Sequence, residues 1–96
     1  MSRALPPFTT YTLRLLETVH GVPTEHDGRY VKLYDPRRPR LEELPILETV
    51  ATAAEAHHFA SFADAMRLYR MDSGLRRPDG RPDRPLTAFT VVIEAL

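Results

Sequence analysis

Leu86-Thr87-Ala88-Phe89-Thr90-Val91-Val92-Ile93-Glu94 is the stretch whose reading decides the fold. It is crowded with β-branched and aromatic residues, which fit a pleated, half-buried surface. A period of two puts Phe89, Val91 and Ile93 on one face, and Val92 adds apolar character to the other. The reading is a strand from Leu86 to Glu94. A long apolar strand left at a sheet edge invites pairing with other chains. The expectation is therefore a central strand lying beside the first one.

That first strand begins at Tyr11. Tyr11, Leu13 and Leu15 alternate with Thr12, Arg14 and Leu16, and the pattern fades near Val19. Ahead of it, Pro6-Pro7 reads as an extended lead-in over residues 1–8. Gly21, Pro23 and Asp27-Gly28 break the chain into a loop. A second alternating run follows from Arg29 to Tyr34. It sets Val31 and Leu33 on one face and Tyr30, Lys32 and Tyr34 on the other. Two such runs around a breaker loop make a hairpin. Pro36, Pro39 and Pro45 then exclude a long regular element between residues 35 and 45. A short third strand is expected from Ile46 to Val50.

Two helix starts follow. Thr52-Ala53-Ala54-Glu55 has the form of a capping box, and Ser61-Phe62-Ala63-Asp64 resembles it with the shorter acid. The reading is a short turn from Ala53 to His57 and a main helix from Phe62 to about Asp72; one kinked helix through both is the alternative. Phe62, Ala65, Met66 and Tyr69 fall on one stripe. Beyond Gly74 lies a breaker-rich loop in which Arg77-Pro78-Asp79-Gly80 carries type I turn chemistry. The order is β-β-β-α-β in a single domain over residues 1–96, with Pro/Arg-rich loops at 35–45 and 73–85. The fold class is α+β: an antiparallel sheet of about four strands with one main helix packed on one face. Leu16, Val92, Tyr30 and Tyr34 then belong to the second face, to be covered by the loops or by a second copy in a homodimer.

Composition narrows the chemistry. The 96 residues are 43% hydrophobic and 27% charged, ordinary for one globular domain. With no cysteine, disulfides, thiolate catalysis and Cys-ligated metals are excluded. Met1 to Pro7 lacks the apolar run of a signal peptide, and no stretch approaches the roughly eighteen apolar residues of a membrane helix. A cytoplasmic protein without membrane contact is expected. Thirteen basic and thirteen acidic residues cancel, which argues against whole-molecule steering to nucleic acid.

No catalytic, cofactor or metal residue is assigned. His57 and His58 are adjacent, so on a helix they diverge, and neither has a histidine at the i+4 spacing of paired-His metal motifs. Glu42, Glu43, Glu48 and Glu55 read as solvated charges. Ser61 is a helix cap, and neither it nor Ser73 sits in a nucleophile elbow. Gly21, Gly28, Gly74 and Gly80 are isolated, so no phosphate loop forms. The expectation is a protein that is not an enzyme.

Twelve of the thirteen basic residues are Arg, an excess that reads first as the composition of a GC-rich genome; the functional lead is the two Arg-rich loops, because the Arg fork suits carboxylates and phosphates. Arg37, Arg38 and Arg40 lie in one loop. Arg76, Arg77, Arg81 and Arg84 lie in the other, with Arg67 and Arg70 on the helix before it. Asp35, Asp72, Asp79 and Asp83 interleave with them and would use part of the charge. The expectation is an accessory protein that contacts another protein either through Arg37, Arg38, Arg40, Arg76, Arg77, Arg81 and Arg84, if the loops converge, or through the uncovered sheet face; nucleic acid on the same arginines is the alternative. A small enzyme with an unrecognised site is the third reading.

The segment Arg77-Pro78-Asp79-Gly80-Arg81-Pro82-Asp83-Arg84-Pro85-Leu86-Thr87-Ala88-Phe89-Thr90-Val91 resembles the ending of a family of small uncharacterised bacterial and phage proteins. Asp27-Gly28-Arg29-Tyr30-Val31, Ala54-Glu55-Ala56 and Phe59-Ala60-Ser61-Phe62 are similar to the same group. The resemblance implies an accessory protein of a bacterial or phage cytoplasm. It carries over no functional residue.

Overall fold

The computed structural model describes residues 9–40 and 42–96. The lead-in expected over residues 1–8 lies outside them. Leu13 and Leu15 have no exposed surface, and what buries them defines the fold. They lie on β1 (Tyr11–Thr18), opposite Ile93 and Val91 of β4 (Phe89–Ala95) in an antiparallel ladder. β2 (Tyr30–Asp35) and β3 (Ile46–Val50) complete one antiparallel sheet in the order β3-β2-β1-β4. One main helix, α1 (Phe62–Tyr69), contributes its fully buried Ala65 to the same core. This is the α+β architecture with four strands read from the alternation.

β4 pairs with β1 as expected, but it is an outer strand and not a central one. The reason is that the other side of β1 is shared. β2 pairs with it at Arg14 and Tyr30 and then splays away. The segment at residues 57–59 fills the fork: Phe59 and Tyr11 exchange backbone hydrogen bonds of 2.8 and 3.0 Å, and His57 N–H donates to the Val31 carbonyl at 3.1 Å. β3 hairpins onto β2, so no strand among the described residues remains to flank β4.

A second correction concerns β2. Its register against β3 shifts by one residue between Val31 and Leu33, so Lys32 and Leu33 together face Glu48. Such a bulge inverts the alternation beyond it. Val31 and Tyr34 therefore share the core face, while Leu33 is 52% exposed. The bulge thus takes Tyr34 into the core and leaves Leu33 outside it, while a polar cluster occupies the second sheet face at β1 and β4. Arg14 stacks over the Tyr30 ring at 5.4 Å, and the Tyr30 hydroxyl donates to Glu94 at 3.1 Å. Leu16 and Val92 remain partly exposed beside this cluster.

The helical region follows the two-segment reading, with a 3-10 turn at Ala53–Glu55 and then α1. Ser61 caps α1 by accepting the Asp64 N–H at 3.1 Å, whereas Thr52 makes no such bond. α1 ends at Tyr69, earlier than expected. Just beyond it, Asp72 accepts the Gly74 N–H at 2.9 Å, and Gly74 has a φ of +80°, which a continuing helix does not allow. At the far end, Pro85–Ala88 is a 3-10 turn in place of the first residues of a strand. It drives Leu86 into the core.

The bulge gives a direct contrast within the sheet. Leu13→Ala is expected to cost about 2–5 kcal/mol, as for other buried leucines, and Leu33→Ala no more than about 0.5 kcal/mol. Urea denaturation of the two variants measures both.

Candidate binding groove

The two Arg-rich loops converge, and they do so through one arginine. Arg38 N–H donates to the Ser73 carbonyl at 2.9 Å. Its guanidinium pairs with the Asp83 carboxylate, to which the Ser73 hydroxyl also donates at 2.7 Å. The second loop is more ordered than its composition implies. Ser73 N–H donates to the Asp83 carbonyl, Asp83 N–H donates to the Leu75 carbonyl, and Arg76 bridges to Pro82. These contacts make a small hairpin closed by the expected turn, in which Gly80 N–H reaches the Arg77 carbonyl at 2.9 Å.

This latch is only partly hydrated. The Arg38 and Asp83 side chains are 18% and 25% exposed, and Arg38 Nε and the Tyr34 hydroxyl are buried without a hydrogen-bond partner among the described residues. Burial pushes the Tyr34 phenol up to about 12. The neighbouring Leu86 backbone opposes the shift, Asp83 adds to it and Arg38 again opposes it.

The remaining sequence-derived arginines do not form one patch. Arg37 is paired with Asp35 at 3.1 Å on the surface, and its guanidinium holds the Asp35 carboxyl below the usual range. Arg76 donates to the Gly80 carbonyl at 2.9 Å, and Arg81 lies 3.9 Å from Asp79. Arg77 and Arg84 line a depression of about 250 Å³ beside His20. Arg40 is exposed in the middle of the first loop.

A larger groove, about 770 Å³, runs between α1 and the two loops. Ala63, Met66 and Met71 supply apolar lining, and Arg37, Arg67 and Arg70 add guanidiniums. Asp72 is the carboxylate among its lining residues. Arg67 is held by Asp64 at 3.0 Å, one helical turn away. Arg70, the C-cap of α1, has no ion pair among the described residues. The sequence alone places Arg67 and Arg70 beside the second loop and Met66 on the apolar stripe of the helix, with no groove between them. The missed signal was the i, i+3 spacing of the two arginines beside Met66, which sets them along one side of the helix.

The histidines stay apart. His57 meets the Phe59 ring edge-on at 4.6 Å, His58 Nε2 lies 3.0 Å from the Ala53 carbonyl, and His26 Nδ1 lies 2.8 Å from the Thr49 hydroxyl. Among the described residues, no three His, Asp or Glu side chains converge as metal ligands. No helix there is long and apolar enough to cross a membrane. No protein-family model, curated protein or solved structure matches the chain.

Two outcomes test the latch. Asp83→Ala strands a largely buried guanidinium and should cost about 1–3 kcal/mol. Adding Arg38→Ala should cost less than the sum of the single changes, by about 1–2 kcal/mol in a thermal-denaturation double-mutant cycle. Tyr34 supplies the second. Its folded pKa lies above the ordinary 10.0, so its stabilising term is full below that pH and is lost as pH rises toward about 12. Tyr34→Phe also removes a hydroxyl without a partner, so it should be neutral or stabilising at pH 7 and lose stability less steeply under alkaline denaturation.

Proposed function

We propose that this chain is a non-enzymatic accessory domain that binds another protein, taking an acidic, amphipathic segment of its partner into the groove beside α1. One observation carries the reading: three guanidiniums, of Arg37, Arg67 and Arg70, share a groove with Met66 and Met71. Methionine adapts to varied apolar side chains, and arginine forks pair with carboxylates. A segment with apolar residues on one side and Asp or Glu along its flanks satisfies both. The ion pairs to Asp35 and Asp64 are exposed, so their arginines can exchange partners at small cost. The hairpin arginines Arg76, Arg77 and Arg81, with Arg40 and Arg84, lie outside the groove lining and add long-range attraction. On the likeness of residues 77–91, we also read the chain as a bacterial or phage protein of the cytoplasm.

Selection from a displayed library of amphipathic peptides tests this. The wild-type chain should enrich acidic sequences with spaced apolar residues, and the Met66 and Met71 methyl signals should move on binding. Arg37→Glu/Arg67→Glu/Arg70→Glu, folded by circular dichroism, should weaken capture at least about tenfold, and added salt should weaken it in the wild type. Enrichment without acidic bias, or equal capture by the triple variant, contradicts the groove. A preference for single-stranded nucleic acid over every peptide returns the arginines to phosphate binding.

A further inference from the structure

β4 uses one of its two backbone edges among the described residues. The Leu96 N–H donates to the Thr10 carbonyl at 2.8 Å, and this fixes the phase of the β1–β4 ladder. In an antiparallel pair, residues that exchange hydrogen bonds alternate with residues that do not. Val92 and Glu94, opposite Arg14 and Thr12, therefore turn their backbone groups toward β1. Phe89, Val91, Ile93 and Ala95 turn theirs outward. The Phe89 carbonyl is already taken, accepting the Tyr69 hydroxyl of α1 at 3.1 Å. The helix thus caps one end of the edge and leaves Val91, Ile93 and Ala95 open among the described residues.

The opposite outer strand is defended. β3 has five residues, follows Pro45 and carries Glu48, and its Thr49 carbonyl accepts from Arg29 at 2.9 Å. Outer strands of native proteins carry such devices against pairing. β4 has no proline, lysine or extra residue along its length. Its one charge, Glu94, is engaged on the second face by Tyr30 at 3.1 Å and Arg14 at 3.9 Å.

We propose that β4 pairs antiparallel with β4 of a second copy, about a two-fold axis at Ile93, joining two four-stranded sheets into one. The register follows from the open groups. Setting Ile93 against Ile93 pairs Val91 with Ala95 and uses all three outward residues without Phe89. Centring the pairing on Val91 or Val92 requires the capped Phe89. The same register sets Val92 opposite Glu94 of the second copy, so no like charges face each other. Val91 and Ile93, half-buried on the core face, continue as one apolar row across the axis. The chain has zero formal net charge, so two copies meet without overall repulsion. This pairing does not depend on the groove.

Val92 supplies the test. Val92→Glu faces Arg14 within its own sheet, so the fold is kept, but across the axis it faces Glu94 of the second copy, twice per dimer. Size exclusion with light scattering over a concentration series should show a wild-type dimer. Val92→Glu should raise its dissociation constant on the order of tenfold, and Val92→Lys should not. Hydrogen exchange should show the Val91, Ile93 and Ala95 amides slowing as concentration rises. A wild type that stays monomeric at every concentration overturns the proposal. So does a dimer that leaves those three amides unprotected, or one that Val92→Glu leaves intact.

Discussion

β1 has both of its backbone edges in use, and this is the constraint on which the remaining structure depends. β4 runs along one edge for nearly the full length of the strand. The other edge is divided between β2 and the segment at Phe59. Leu13 and Leu15 are consequently sealed, and their side chains give Phe59, Ala65, Leu86 and Phe89 a common surface to pack on. Without the Phe59 segment in the fork, the Tyr11 and Val31 backbone groups that now pair with residues 57–59 would each need another partner.

The position of the groove follows from that frame. Phe59 anchored beside Tyr11 leaves only Ala60 before the Ser61 cap, so the start of α1 is fixed by β1. The other side of the groove is set by the Arg38–Asp83 latch, which holds the first loop to the second. Arg37 and Arg38 are neighbours with opposite fates. One guanidinium is turned inward to tie the loops, and the other is left at the groove. A buried charge pair is a weak source of stability but a strong source of position, and position is what a groove with guanidiniums along it requires.

Much of this was legible in the residues. Alternation gave the strand positions, and Ser61 with Asp64 marked the start of α1 within a chain that offers a second, inactive cap at Thr52. The errors share a cause. Faces read by counting in twos fail at a bulge, and nothing in Val31-Lys32-Leu33-Tyr34 announces that one residue is extra, because the bulge is a property of the β2–β3 pair. The place of β4 also depended on a competitor for β1, and the Phe59 segment carries no strand pattern of its own. In the loops, sequence counted the arginines correctly but not their partners. Arg38 and Asp83 are 45 residues apart, too far for spacing to pair them.

The β1–β4 ladder has a consequence in time. Its partners, such as Leu13 and Ile93, come from opposite ends of the described chain. Contacts of such separation close large loops before they return any stabilisation, and they place a domain among the slower folders. Until residues near Ile93 arrive, β1 presents Leu13 and Leu15 beside an unfilled backbone edge. The strand that ends most completely enclosed is therefore the one that waits longest for cover, and the speed with which β4 docks sets how long the half-made sheet is open to misassembly.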